Sequence, residues 1–342
     1  MRLLIVTQKV DESDAILGFF HGWIAEFAKH CERVTVICLE EGAHHLSENV
    51  KVFSLGKEKK HSRLQYLAHF YRYIWQERNN YDVVFVHMNP EYIVLGGLLW
   101  KLLHKKITLW YTHKKIDVKL RIAVWLADVI FTASEKSFRL KSKKTKIMGH
   151  GIDTESFSPA IVPVGGDKIV LSVGRISPTK RQLDIVRAFE SARKKVPAAV
   201  LYIVGIPVLK RNEEYLREIK EYLKTHRLEE CVKFFGAIPN KKMPPMYQKA
   251  AVAVNMSETG SIDKDVLEAL SCGIPALTTN NAFRGVIPDE LIVNGDMMSG
   301  KIAGFLREEP HSEKRTEYRN IVVCHHSIGR LAGNLVFEMQ NA

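Results

Sequence analysis

The sequence is poor in cysteine. Cys31, Cys38, Cys231, Cys272 and Cys324 are the only five among 342 residues, they are scattered, and no two form a C-x-x-C pair. An odd, dispersed set argues against a disulfide framework or a thiolate zinc site and fits reduced thiols in a cytoplasmic protein. Long apolar runs are missing too. The longest candidate, residues 93–100, stops at Lys101, well short of the roughly 18 apolar residues a membrane-spanning helix needs. The apolar start, residues 1–7, turns acidic at Asp11, Glu12 and Asp14 and is too brief for a secretory signal. With 21 glycines and 12 prolines, a collagen-like or low-complexity chain is excluded. No G-x-G-x-x-G follows the first apolar run, and G-x-x-x-x-G-K-[ST], G-x-S-x-G and H-E-x-x-H are absent. Dinucleotide oxidoreductase, P-loop, α/β-hydrolase and zincin readings therefore lack their signatures.

Negative charge is also in short supply. Fifty Lys and Arg face 38 Asp and Glu, a formal net charge of +12. The excess is concentrated: residues 101–146 hold 13 Lys/Arg and 3 Asp/Glu, and residues 57–63 form a smaller basic cluster. Such a sector implies an anionic partner, either a phosphorylated substrate or an acidic membrane face, unless it serves solubility alone. Nucleic acid is not the expected partner, because no stacking-aromatic pattern or zinc module accompanies the charge.

What the chain does have is alternation. Short runs rich in β-branched or aromatic residues at 3–6, 34–39, 83–86, 107–111 and 129–132 read as buried parallel strands. Helical periodicity lies between them at 17–29, 64–76, 92–103 and 120–127. After a pause around 150–167 the rhythm restarts. Strands are expected at 169–173, 199–204, 232–235, 251–255 and 275–278, and helices at 182–194, 213–225, 244–249 and 264–271. Residues 316–339 read as broken helix. The pattern predicts two doubly wound, parallel-sheet α/β domains, 1–158 and 159–321, with a terminal helix at about 322–342 returning to the first. Ligands in such folds bind outside the carboxyl ends of the strands, so the two domains are expected to face a cleft.

Three places carry candidate chemistry. At Gly174-Arg175-Ile176-Ser177-Pro178-Thr179-Lys180 a strand ends on glycine, and Arg175 and Lys180 bracket a turn into a helix, with Thr179 as a plausible cap. Exposed N–H groups and two cations there suit a phosphate or diphosphate; the alternative is a solvated basic turn. In residues 259–275, Gly260 and Ser261 open a helix that Gly273 ends. Val266, Leu267, Ala269 and Leu270 share one arc, and Lys264, Glu268 and Ser271 the other. Lys264 and the helix start would hold phosphate, and Glu268, about 6 Å further along the axis, would accept two vicinal hydroxyls. The alternative is an exposed i, i+4 pair worth tenths of a kcal/mol. Asp263 and Asp265 form a D-x-D, but acidic residues in a first turn also suit the macrodipole, so no metal site is expected. In the first domain His87 and His113 follow strands, where a histidine can serve substrate or a transition state or simply hold a loop.

Taken in order, these pieces resemble the family 4 retaining glycosyltransferases. The matching residues are 174–180, Phe235-Gly236 with Pro244 and Tyr247, 266–275, and the link formed by 150–153 with 157–159. The resemblance implies the GT-B architecture of two Rossmann-like domains. It implies a nucleoside diphosphate sugar as donor, a glycan or lipid-linked acceptor, no cofactor, no essential metal, and retained anomeric configuration. By position, Arg175 and Lys180 would bind the diphosphate, Glu268 the ribose, and His113 the reacting sugar. Gly174, Gly260, Ser261 and Lys264 complete the donor side, with Gly18 and His87 on the acceptor side. The family usually has a glutamate where this chain has Gly260, with Glu258, Asp263 or the backbone at Gly260-Ser261 as substitutes. A second glycine after Gly205 is replaced by Ile206-Pro207, and the glycine pair and glutamate expected after Pro275 are absent. These departures touch the sugar side of the site. They leave open a nucleotide-sugar epimerase of the same fold or a non-catalytic sugar-nucleotide or polyanion binder. A cytoplasmic enzyme touching the inner face of the membrane, in cell-surface glycan or glycolipid synthesis, is the expected setting.

Overall fold

A computed structural model describes every residue except 15, 114, 161–167, 258–259, 309–311 and 342. The chain divides into two compact units, Met1–Gly151 with Ile328–Ala342, and Ile152–Ser327. The division falls after Gly151 rather than after Ser158, and the return begins at Ile328 rather than near residue 322. The reason is local. Ile152 donates its N–H to the carbonyl of His326 at 2.7 Å, and Ile152 and Phe157 are buried in the second unit's core. Val164, Gly165, Gly166 and Asp167, the other part of the expected link, lie outside the described residues, as do Lys114 and Glu258.

The first unit runs β1 (Arg2–Val10), α1 (Phe19–His30), β2 (Arg33–Glu41), β3 (Val50–Ser54), α2 (Arg63–Gln76), β4 (Val83–His87), α3 (Glu91–Leu102), β5 (Lys106–Trp110), α4 (Val118–Leu126), β6 (Val129–Thr132) and β7 (Thr145–Ile147). Its parallel sheet has the order β3-β2-β1-β4-β5-β6-β7. Successive strand residues face opposite sides. Leu3, Ile5, Phe85 and Phe131 pack on the side of α1, and Leu4, Val6, Val84 and Ile130 on the side of α2, α3 and α4. Burial on both faces is why these strands read as unbroken apolar runs. Caps set two of the helix starts. Ser62 and Gln65 form a reciprocal capping box at α2, and Asp117 accepts the N–H of Leu120 at α4.

The second unit runs β8 (Ile169–Val173), α5 (Gln182–Arg193), β9 (Val200–Val204), α6 (Lys210–Thr225), β10 (Val232–Phe234), α7 (Pro244–Lys249), β11 (Val252–Asn255), α8 (Lys264–Ser271), β12 (Ala276–Thr278), α9 (Gly295–Arg307) and α10 (Ser312–His326). Its parallel sheet has the order β10-β9-β8-β11-β12. The helix after it, α11 (Ile328–Asn341), belongs to the first unit, where Leu331, Leu335 and Met339 join the core that holds Phe20, Trp23 and Phe27 of α1. In each sheet the strand order reverses at the first strand, β1 or β8, and this places a ligand crevice at the carboxyl end of that strand.

The absence of a side chain at Gly205 lets the ends of β8 and β9 approach. Gly205 sits at φ +142°, and a Cβ there would lie 2.0 Å from the carbonyl oxygen of Gly174. Gly205→Ala is therefore expected to cost about 3 kcal/mol. Gly236→Ala, at φ +67° with open space around it, should cost only about 1–2 kcal/mol. Urea unfolding of the two variants checks the order; equal costs would contradict the close approach.

Candidate functional site

The end of β8 turns sharply. Gly174, at φ +143°, donates its N–H to Val204, and Ile176 donates to Ile206. Buried Gln182 fastens the turn, since its amide donates to the Arg175 carbonyl at 3.0 Å and accepts the Ser177 N–H at 3.2 Å. Thr179 is not the helix cap: residues 178–180 form a short 3-10 turn, and α5 begins after Arg181, held at φ +54°. Arg175 is exposed, whereas Lys180 points inward.

Lys180 reaches the start of α8. Its Nζ donates to Asp263 Oδ1 at 2.8 Å, with both side chains largely buried. Burial would lower the pKa of Lys180, but the charges of Asp265 and Asp263 outweigh it and hold the ammonium above its ordinary value. Asp265 in turn accepts from Asn255 Nδ2 at 2.8 Å. Burial raises its pKa, opposed by Lys180. Asn280 donates to the Ser261 carbonyl at 2.7 Å and so ties the loop before α8 to the strand end after β12. Gly260 has φ +62°. That left-handed conformation is costly for an L side chain such as the glutamate that the resemblance expects there.

Glu268 is nearly inaccessible, not exposed. Tyr247 donates its hydroxyl to Oε2 at 2.8 Å, and Asn240 donates to Oε1 at 3.0 Å. Burial raises its pKa, opposed first by the Tyr247 hydrogen bond and then by Lys264. Lys264, partly buried, is pushed down by the same desolvation. A carboxylate has about four acceptor positions, so each Glu268 oxygen keeps capacity for a ligand hydroxyl. The arc expected to be polar is only partly so: Ser271 is fully buried, and its hydroxyl donates to the Phe157 carbonyl at 2.5 Å.

The first unit holds the remaining candidates separately. His87 ends β4, but it is buried, stacked on Phe20 with centroids 3.9 Å apart, and its Nδ1 lies 3.3 Å from Thr7 Oγ1. That is the position of a packed core histidine at the strand reversal. Gly18 precedes α1 in a tight loop where a Cβ would lie 2.4 Å from the Asp14 carbonyl oxygen, so its small size is a packing requirement. His113 lies three residues past β5, is exposed, and its Nδ1 accepts the N–H of Lys115 at 3.0 Å. With Nδ1 accepting, the neutral ring carries its proton on Nε2 and presents a donor there.

The structure thus brings Gly174, Lys180, Ser261, Lys264 and Glu268 to the carboxyl end of the second unit's sheet. Sequence reasoning did not find the polar partners Asn240, Asn255 and Asn280, or the Lys180–Asp263 pairing across 83 positions. Tyr247 was visible in the motif, but its role was not.

Solved structures resemble the whole chain. Anabaena Alr3699/HepE in complex with UDP matches with a TM-score of 0.78 at 16% identity, over 100% of both chains. Sucrose-phosphate synthase from Thermosynechococcus elongatus matches with a TM-score of 0.75 at 15% identity, over 100% of this chain and 99% of that one. The two parallel-sheet α/β units are of the GT-B class. Residues 153–319 match the family described as glycosyl transferases group 1, and residues 13–143 the glycosyl transferase 4-like family. The chain belongs to the group 1 glycosyltransferases. Among curated relatives, mannosylfructose-phosphate synthase of Agrobacterium fabrum is 24% identical over 152 residues, 43% of this chain and 34% of that protein. The GDP-mannose-dependent alpha-(1-6)-phosphatidylinositol monomannoside mannosyltransferase of Mycolicibacterium smegmatis is 27% identical over 143 residues, 37% of this chain and 36% of that protein. The match spans about a third of the length of each.

Proposed function

We propose that this protein is a retaining glycosyltransferase that moves a sugar from a nucleoside diphosphate sugar to an acceptor hydroxyl. The observation that carries the reading is Glu268, a buried carboxylate fixed by Tyr247 and Asn240 one helical turn beyond Lys264. Relatives support the donor class: HepE has been solved with UDP and with UDP-glucose. In this reading Glu268 accepts the ribose hydroxyls. Arg175, Lys180, Lys264 and the N–H groups at Gly260-Ser261 take the diphosphate. As the bond from the anomeric carbon to the diphosphate loosens, the leaving oxygen gains negative charge, and cations and N–H dipoles fixed beforehand stabilise it. The acceptor hydroxyl attacks from the same face and passes its proton to the leaving phosphate. The proposal involves no metal or resident cofactor. The acceptor, a glycan or a lipid-linked sugar, is assigned to the first unit, with His113 serving the reacting sugar.

A second reading, a donor-binding protein without turnover, is favoured by Gly260, whose conformation disfavours the missing glutamate. A thermal-shift panel of nucleoside diphosphates and their sugars, followed by donor-consumption assays with and without acceptors, separates the two. Stabilisation with acceptor-dependent turnover supports transfer; stabilisation without turnover under any acceptor supports the second reading. Glu268→Gln is expected to weaken nucleoside diphosphate binding about 10-fold, the scale of one hydrogen bond to a charged group, and to leave inorganic diphosphate binding unchanged. Equal losses for both ligands would remove Glu268 from the ribose.

A further inference from the structure

The basic sector does not form one surface. Lys101 pairs with Asp128 and Lys146 with Glu338, while Lys144 Nζ donates to the carbonyls of Val124, Trp125 and Ala127 at the end of α4. What stands out on the first unit is an apolar outer face. Helices α2, α3 and α4 cover one side of its sheet, bury Phe70, Ile74, Trp100, Leu120 and Leu126 against it, and then present a second apolar stripe outward. On α2 this stripe is Leu64, Leu67, Tyr71 and Trp75, on α3 Leu95, Leu98 and Leu102, and on α4 Val118, Ile122 and Trp125, all exposed. The spacings of three, four and seven residues keep each stripe on one side of its helix. The Tyr71 hydroxyl donates to the Leu95 carbonyl at 2.9 Å, and α3 packs along α4, so the stripes lie side by side.

We propose that this face docks on an anionic lipid membrane. Contiguous exposed apolar surface on this scale marks an interaction site, and the charge between the stripes selects the partner. The three helices together carry one acidic residue, Glu91, against Arg63, Arg72, Lys101, Lys119 and Arg121, and with Lys101 held by Asp128 the charge that remains beside the stripes is that of Arg63, Arg72 and Arg121. Lys119 neutralises Glu91 at 3.0 Å. A second copy of the chain would meet the apolar stripes but set like charges against one another. An anionic leaflet satisfies both features: apolar side chains enter the boundary of the acyl chains while Lys and Arg stay among the head groups. Trp75 and Trp125, 53% and 73% exposed, are the residue type that settles at such a boundary. Arg78 stacks over Trp75 at 4.5 Å, keeping a cation beside the ring. The proposal is independent of the donor site, which belongs to the other unit.

The tryptophans supply the test. Trp23, Trp100 and Trp110 are buried, so Trp75 and Trp125 alone among the five are open to lipid. Full-length protein is mixed with vesicles of phosphatidylcholine alone, or with phosphatidylglycerol added, each with and without brominated acyl chains. Co-sedimentation and tryptophan fluorescence are then recorded. Binding is expected only with phosphatidylglycerol, lost at about 0.5 M salt, and accompanied by bromine quenching. Trp75→Phe/Trp125→Phe should still bind but lose the quenching. Leu98→Glu/Leu102→Glu, at two exposed positions that leave the core intact, should bind at least 10-fold more weakly. No binding to phosphatidylglycerol vesicles, or binding without quenching in the wild type, overturns the proposal. So does a lipid-free dimer disrupted by Leu98→Glu/Leu102→Glu.

Discussion

Lys180→Ala is expected to damage the second unit twice. Lys180 and Asp263 form a largely buried pair at 2.8 Å, with Asp265 as a second anion facing the same ammonium. Removing the cation leaves two carboxylates in a poorly solvated place, at a cost of about 3 kcal/mol in stability. Affinity for a nucleoside diphosphate should fall as well, by about 10- to 150-fold, the equivalent of one lost charge-assisted contact. The two effects separate in a double variant. Lys180→Ala/Asp263→Asn removes one of the uncompensated anions and should recover part of the stability, while diphosphate affinity remains low. Urea unfolding and calorimetric titration of the four-variant cycle give both numbers. If Lys180→Ala unfolds at the wild-type urea concentration, the pair is not holding the strand-to-helix turn to α8. If the double variant regains full affinity, Lys180 does not contact the ligand.

His113→Ala should leave nucleotide binding unchanged and slow transfer by about 100-fold or more. The histidine is exposed on the first unit, and the bond from Lys115 to Nδ1 fixes the ring so that Nε2 presents the proton. A group held this way can donate to a sugar or acceptor oxygen while making no contact with the nucleotide. The expected pattern is a fall in kcat with the nucleoside diphosphate Kd unmoved. Wild-type turnover in His113→Ala would leave this histidine as a loop residue only, without a part in transfer.

Much of this was legible in the chain. Residues 129–132, 169–173, 244–249 and 264–271 fold as the elements that their patterns predict, because each combines a strong apolar period with a clear start or stop. Two edge strands were not visible. In β3, Val50 and Val52 alternate with Lys51, and only partial burial follows; β7 has three residues. Neither has the two-sided burial that makes the central strands of the same sheet readable. Helix α9 was missed because Gly295, Gly300 and Gly304 weaken its propensity, while Met298, Ile302 and Leu306 stabilise it through burial in the core. In the site, Glu268 and Lys180 could be named from motif spacing. Their partners could not, since Asn240, Tyr247 and Asp263 meet them only after three separate strand ends are brought together. Burial was misjudged for the same reason: α8 is covered on nearly every side, so its polar arc became a set of internal hydrogen bonds rather than an open face.

The central claim is that the carboxyl end of the second unit's sheet holds the diphosphate of a sugar nucleotide. Calorimetric titration of a panel of nucleoside diphosphates, with the matching nucleosides as controls, into wild-type protein and Arg175→Ala tests it most directly. Arg175 is exposed at the site and makes its hydrogen bond to Gln182 only through its backbone carbonyl, so its side chain can be removed without disturbing the turn. The account predicts saturable binding of at least one nucleoside diphosphate to wild-type protein, weakened about 10- to 150-fold in Arg175→Ala, while weak binding of the bare nucleoside is the same in both. Identical diphosphate affinities in the two proteins, or no nucleoside diphosphate binding at all, would contradict it.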